Sequence, residues 1–113
     1  MDVTIERVDW ANEELQSLVA AQQTELLERY GDEDIDDGVS TRPLEAAVLI
    51  RHEGVAVACG ALRDPVEAFG EGVGELKRMY VVPEHRRKGL SRIVLRELEK
   101  IALERGLRRL VLE

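Results

Sequence analysis

With one cysteine in 113 residues, the chain has no internal disulfide framework to rely on, a usage that fits a reducing compartment. Aromatic residues are equally scarce, at one Trp, two Tyr and one Phe. A surface of interleaved rings for stacking nucleobases is therefore not on offer. The net charge of −7 argues in the same direction, against non-specific binding of nucleic acid. No run of 18 apolar residues occurs, and Met1-Asp2-Val3-Thr4-Ile5-Glu6 has neither a basic start nor an apolar stretch. Neither a membrane span nor a signal peptide is readable, and the expected setting is cytoplasmic. No His, Cys and Asp residues fall at metal-ligand spacings, so no metal is expected.

What is present is a substantial core fraction, 44% hydrophobic residues, in a length that supports one domain. The charge is unevenly placed. Up to Glu75 there are 18 acidic and 5 basic side chains, whereas from Leu76 onward there are 5 acidic and 11 basic. The basic final third invites an anionic ligand, although solvated helix faces would show the same balance.

Period-two alternation over Val3–Val8 predicts a strand. Asn12 is a good N-cap for a helix reaching Tyr30, with Leu15, Leu18, Val19 and Leu26 as its buried stripe and Gly31 as its αL stop. Residues 31–43 form the longest loop candidate, strongly acidic. The apolar runs 46–50 and 55–62 flank Arg51-His52-Glu53-Gly54, a hairpin signal. A flexible stretch is expected from Asp64 to Gly74. Its Gly70-x-Gly72-x-Gly74 cluster leads into a strand, not a helix, so it is no dinucleotide fingerprint. A strand over Glu75–Val82 stops at Pro83, a helix spans Leu90–Arg105 with Leu90, Val94, Leu98 and Ile101 on one face, and Gly106 precedes a last strand over Leu107–Leu112. The fold class is α/β: a mixed sheet in the order β-α-β-β-β-α-β, an antiparallel meander followed by a parallel βαβ crossover.

The chemistry is concentrated in Glu84-His85-Arg86-Arg87-Lys88-Gly89-Leu90-Ser91-Arg92, between strand and helix. A glycine-containing turn there aims backbone N–H groups at the positive end of the helix dipole, a cradle suited to a pyrophosphate. Arg86, Arg87, Lys88 and Arg92 add positive charge around it. Lys88 precedes Gly89, so this is not a nucleotide-binding P-loop.

Arg86-x-x-Gly89-x-Ser91 resembles the Gln/Arg-x-x-Gly-x-Gly/Ala signature of the GNAT superfamily of acyl-CoA-dependent N-acyltransferases, with Ser91 where Gly or Ala is usual. The preceding Glu75–Glu84 segment is similar to the strand that leads into that signature, and the element order matches over the whole chain. The resemblance implies a single N-acetyltransferase domain over residues 1–113 and acetyl-CoA as cosubstrate. It also implies direct attack of a primary amine on the thioester, through a tetrahedral intermediate. It further implies another helix and two strands after the last strand, carrying a tyrosine acid. On that reading the domain is C-terminally incomplete, and further residues or another chain would supply those elements.

Residue by residue, the resemblance gives Met79, Tyr80 and Val81 the backbone contacts to the pantetheine arm. The Met79 N–H takes an oxyanion-hole role. Backbone groups of Arg87, Lys88, Gly89, Leu90, Ser91 and Arg92 would hold the pyrophosphate. Glu75 occupies the place of a general base, and strict alternation would put Glu75, Lys77, Met79 and Val81 on one face. At about 3.4 Å per residue, Glu75 lies about 13 Å along the strand from Met79, which demands a water relay or a bend at the β-bulge where, as the resemblance implies, this strand splays from the last one. Neither Tyr30 nor Tyr80 matches the family's acid position. His52 and His85 read as solvated turn residues and Cys59 as core. The acidic run Asp32, Asp34, Asp36 and Asp37 borders the expected acceptor entrance and would attract a cationic small-molecule or peptide amine. An exposed strand edge suggests a homodimer. The alternative function is a non-catalytic acyl-CoA-binding or partner-docking module.

Overall fold

The computed structural model describes residues 2–30, 46–63 and 70–112. Five strands form one sheet: β1 (Val3–Val8), β2 (Ala46–His52), β3 (Val55–Arg63), β4 (Val73–Val81) and β5 (Arg109–Leu112). Among the described residues two helices cover it, α1 (Glu13–Tyr30) and α2 (Leu90–Glu104), and a 3-10 turn, Pro83–His85, follows β4. The spatial order is β1-β2-β3-β4-β5, antiparallel through β4 and parallel between β4 and β5, as the sequence predicts. No helix among the described residues is long and apolar enough to cross a membrane.

Local chemistry sets the element ends. Asn12 caps α1, its Oδ1 accepting the Leu15 N–H at 3.0 Å. The β2–β3 turn uses Glu53 and Gly54, both at positive φ, the backbone of a two-residue hairpin. At the end of α2, Gly106 sits at φ 78, its N–H bonds Leu103 O at 3.0 Å, and the Leu107 N–H reaches Ala102 O at 2.9 Å. That pair of bonds is the Schellman stop, and the buried Leu107 is its hydrophobic contact. The last strand is accordingly shorter than expected, because Leu107 belongs to the helix cap.

Each helix packs its apolar stripe on one face of the sheet. Leu90, Val94, Leu98 and Ile101 of α2 meet Val48, Ile50, Ala58, Leu62 and Leu76. Leu15, Leu18 and Val19 of α1 meet Ala47, Leu49, Cys59 and Ala61 on the other face. Leu26 is only half-buried. A double ion pair also ties β1 to α2: Arg7 bonds Glu104 at 2.8 and 2.9 Å and Glu97 at 2.8 Å.

Three expectations change. The glycine cluster is not all loop, because β4 begins at Val73 and Gly74 lies within it, where a Cβ would meet Leu107 at 2.7 Å. His52 and His85 are half-buried and in contact, His85 Nε2 lying 3.3 Å from His52 Nδ1. And β4 does not alternate throughout. The β3–β4 register jumps between Cys59 and Ala61, so Gly60 faces two residues, and Arg78 sits at φ 58. One extra residue reverses the parity of everything after it. Glu75 and Lys77, opposite Arg63 and Ala61, lie on the α1 face, whereas Met79 and Val81 pack with the α2 cluster. The acidic run Asp32, Asp34, Asp36 and Asp37, the helix stop at Gly31 and residues 64–69 lie outside the described residues.

Candidate active site

Among the described residues β4 pairs in parallel with β5 from Val73 to Leu76. The bulge at Arg78 lies just beyond, and backbone carbonyls of β4 there are directed away from β3. Two of those carbonyls are taken by side chains. Gln22 Nε2 donates to Met79 O at 2.9 Å, and Arg86 Nε donates to Val81 O at 2.9 Å. On the inner side, Cys59 Sγ donates to Arg78 O at 3.3 Å. Burial pushes the Cys59 thiol up to about 12, so it is neutral and inert at neutral pH.

The turn after β4 is built as the sequence suggests. Gly89 occupies the N-cap of α2 at φ 79, a left-handed conformation that glycine adopts without steric cost. It gives the helix no side-chain cap, so the first-turn N–H groups keep no intrahelical acceptor. Nothing lies within 4 Å of where a Cβ on Gly89 would stand, so the space over these donors is open. Arg87, two residues earlier, also has positive φ, at 64. Leu90 anchors the helix start in the core, while Arg87, Lys88, Ser91 and Arg92 are exposed. An exposed N-terminus with positive side chains around it is an anion site.

Edge and turn share one cleft of about 470 Å³. Met79, Tyr80 and Val81 form one wall, Arg86, Arg87, Gly89, Leu90 and Ser91 the end, and α1 the opposite wall through Gln22, Glu25, Leu26 and Arg29. The sequence reading placed eight of the lining residues and missed five: His85, read as a solvated turn residue, and the four from α1, which lie some 50 to 70 residues earlier in the chain. Lys88, Arg92 and Glu75 do not line the cleft. Glu75 stands on the α1 face with the Arg63 guanidinium 3.8 Å away.

Arg86 is held inside the cleft wall. Its Nη2 bonds both Glu25 oxygens, at 2.8 and 3.0 Å, and its guanidinium carbon lies 5.5 Å from the centroid of the Tyr80 ring. Burial, reinforced by the Glu25 charge, raises the Tyr80 phenol above its ordinary value, so it stays protonated at neutral pH. Among the described residues no group of three or more His, Cys, Asp or Glu could hold a metal ion.

A chemistry of this kind has known relatives. The acetyltransferase (GNAT) family model matches residues 8–113. The chain belongs to the GNAT acetyltransferase family. A Klebsiella pneumoniae protein assigned to the acyl-CoA N-acyltransferases is 33% identical, with 97% of this chain and 70% of that one aligned at a TM-score of 0.76. Two more distant structures share the fold. One is an aminoglycoside acetyltransferase from an uncultured soil sample, 16% identical over 100% of this chain and 80% of that one, TM-score 0.72. The other, from Clostridium acetobutylicum, was crystallised with acetyl-CoA and is 18% identical over 99% and 80%, TM-score 0.69. No curated protein matches the chain significantly. Membership of this family implies acetyl-CoA-dependent N-acetyl transfer as its general activity.

Proposed function

We propose that this GNAT chain transfers an acetyl group from acetyl-CoA to a primary amine. The observation that carries the reading is the meeting, in one cleft, of the Met79–Val81 stretch of β4 just past its bulge and a glycine-capped helix N-terminus open to solvent. The first fits an extended amide-bearing arm, which can pair as a strand would. The second fits a diphosphate. On this reading the backbone N–H groups of Arg87, Lys88, Gly89, Leu90, Ser91 and Arg92 hold the diphosphate, and Met79, Tyr80 and Val81 line the arm. Bound there, the thioester supplies an electrophilic carbonyl and a thiolate leaving group.

The Met79 N–H is assigned to stabilise negative charge on that carbonyl oxygen. Glu75 is assigned to accept the proton of the attacking amine through water, from the α1 face. The two residues thus work from opposite faces of β4, one before and one after the bulge. The acceptor is read as cationic, drawn by Asp32, Asp34, Asp36 and Asp37. That steering should weaken as salt rises and should vanish when the four are changed to Asn.

The test is calorimetry with acetyl-CoA, CoA and ATP on the parent and on Gly89→Glu. Acetyl-CoA and CoA should bind and ATP should bind more weakly. Gly89→Glu should bind none of them, since it brings a strained residue and a negative charge into the cradle. Unchanged acetyl-CoA affinity in Gly89→Glu would falsify the donor assignment. Binding without transfer to any amine would favour the donor-binding or docking module instead.

A further inference from the structure

The cleft wall supplied by α1 has no counterpart in the signature, yet it holds the edge of β4 at two points. Gln22 caps Met79 O, and Glu25 fixes the Arg86 side chain that caps Val81 O. The Glu25 pair is built for positioning. Both carboxylate oxygens meet one guanidinium nitrogen, the Tyr80 ring lies 5.5 Å from the guanidinium carbon, and both side chains are mostly shielded, at 25% and 33% exposure. Charge-assisted hydrogen bonds in partly dry surroundings are the stronger kind, and they fix geometry as well as energy. A second guanidinium, Arg29, stands 3.8 Å from the same carboxylate, so Glu25 is charge-balanced from both sides.

We infer that Glu25 is a positioning residue for the acyl donor: it clamps Arg86 across Tyr80 so that the β4 edge at Val81 keeps the shape that receives the donor's amide arm. The inference rests on the donor assignment above. Glu25 acts through Arg86 on Val81 O, so its influence should fall on the arm half of the donor. Without the carboxylate, Arg86 loses its fixed orientation, and its hold on Val81 O becomes one of several alternatives.

The experiment measures affinity, by calorimetry, for acetyl-CoA and for 3′-phospho-ADP, which keeps the diphosphate but lacks the arm. Glu25→Gln preserves size and removes the charge, and Glu25→Asp restores a carboxylate. Glu25→Gln should bind acetyl-CoA about tenfold more weakly, equivalent to about 1.4 kcal/mol, and should bind 3′-phospho-ADP like the parent. Glu25→Asp should recover part of the loss. Arg86→Gln should weaken acetyl-CoA binding at least as much, and the double variant should be no worse than Arg86→Gln alone. Equal weakening toward both ligands would mean a general structural effect and would overturn the inference. So would tighter binding of acetyl-CoA, which would make the pair an obstruction in the cleft. A parent protein that binds neither ligand would refute the donor assignment itself, an outcome distinct from both.

Discussion

Gly60 is where the packing of the core and the shape of the cleft can be perturbed by one methyl group. It lies opposite the bulge, and a Cβ there would stand 2.5 Å from Val94 Cγ1, 2.6 Å from Met79 Sδ and 3.0 Å from Leu98 Cδ1. The first two distances are far inside contact, so something must move. Val94 and Leu98 are fully buried, and a β-branched valine in a helix has essentially one rotamer. Met79 is unbranched and only partly buried, so it is the neighbour that yields. Gly60→Ala should therefore cost about 1–3 kcal/mol as overpacking. With a urea slope of about 2 kcal/mol/M, the unfolding midpoint falls by about 0.5–1.5 M. The displaced Met79 should also weaken acetyl-CoA binding, even though residue 60 lies outside the cleft. Removing the offending methyl with Val94→Ala should make Gly60→Ala cheaper in that background, a coupling that a double-mutant cycle reads directly. Parental midpoint and affinity in Gly60→Ala, with strictly additive effects in the cycle, would refute the reasoning.

Glu75→Gln should lower turnover near neutral pH, with acetyl-CoA affinity unchanged and the deficit shrinking as alkaline pH deprotonates the amine. Turnover unaffected at every pH would make Glu75 structural. Hydrogen bonds from Arg7 and Arg51 hold Glu104 and Glu14 below the ordinary carboxylate value of 4.5. Because the folded value lies below the unfolded one, their contribution is present above about pH 4.5 and is lost as pH falls through the lowered values. Glu104→Gln should flatten the acid limb of the stability curve, most clearly at low salt, and an unchanged limb would contradict the pairing. Cys59, raised to about 12 and buried, should react with an alkylating agent only on unfolding, and stability should decline as pH rises from 9 toward 12. Rapid labelling of the native protein would contradict its burial. In sedimentation the protein should associate, since Leu103 and Leu112 are 74% and 71% exposed, and a monodisperse monomer would count against this.

What the sequence made legible was local. The α2 stripe of Leu90, Val94, Leu98 and Ile101 repeats at helical spacing, and all four are buried. The hairpin at Glu53-Gly54 and the turn at Gly89 announce themselves because particular backbone angles call for particular residues. The cleft's far wall was not legible, because Gln22 and Glu25 reach Met79 and Arg86 across 57 and 61 residues of chain. No spacing rule spans that distance. The contact between His52 and His85 was hidden in the same way, one at the end of β2 and the other in the 3-10 turn after β4. The bulge was legible through the family resemblance, which implies one on this strand, but no local signal marks it. A left-handed residue inside a strand is usually signalled by glycine, and here it is Arg78.

Energy explains why β4 tolerates that departure. Strict alternation from Leu76 would direct Arg78 and Tyr80 to the α2 face, placing a guanidinium against Val94 and Leu98, and would send Met79 to the α1 face. Burying a charge among apolar side chains costs several kcal/mol even after relaxation. A single non-glycine residue in the left-handed region costs about 1–2 kcal/mol. The bulge is the cheaper solution. It keeps Leu76 and Met79 on the α2 core and returns Tyr80 to the α1 side next to Glu25 and Arg86. The same extra residue that resolves a conflict between hydrophobic pattern and charge therefore falls in the stretch of β4 that the donor reading uses, and Gly60 opposite it is the small residue that leaves room for Met79.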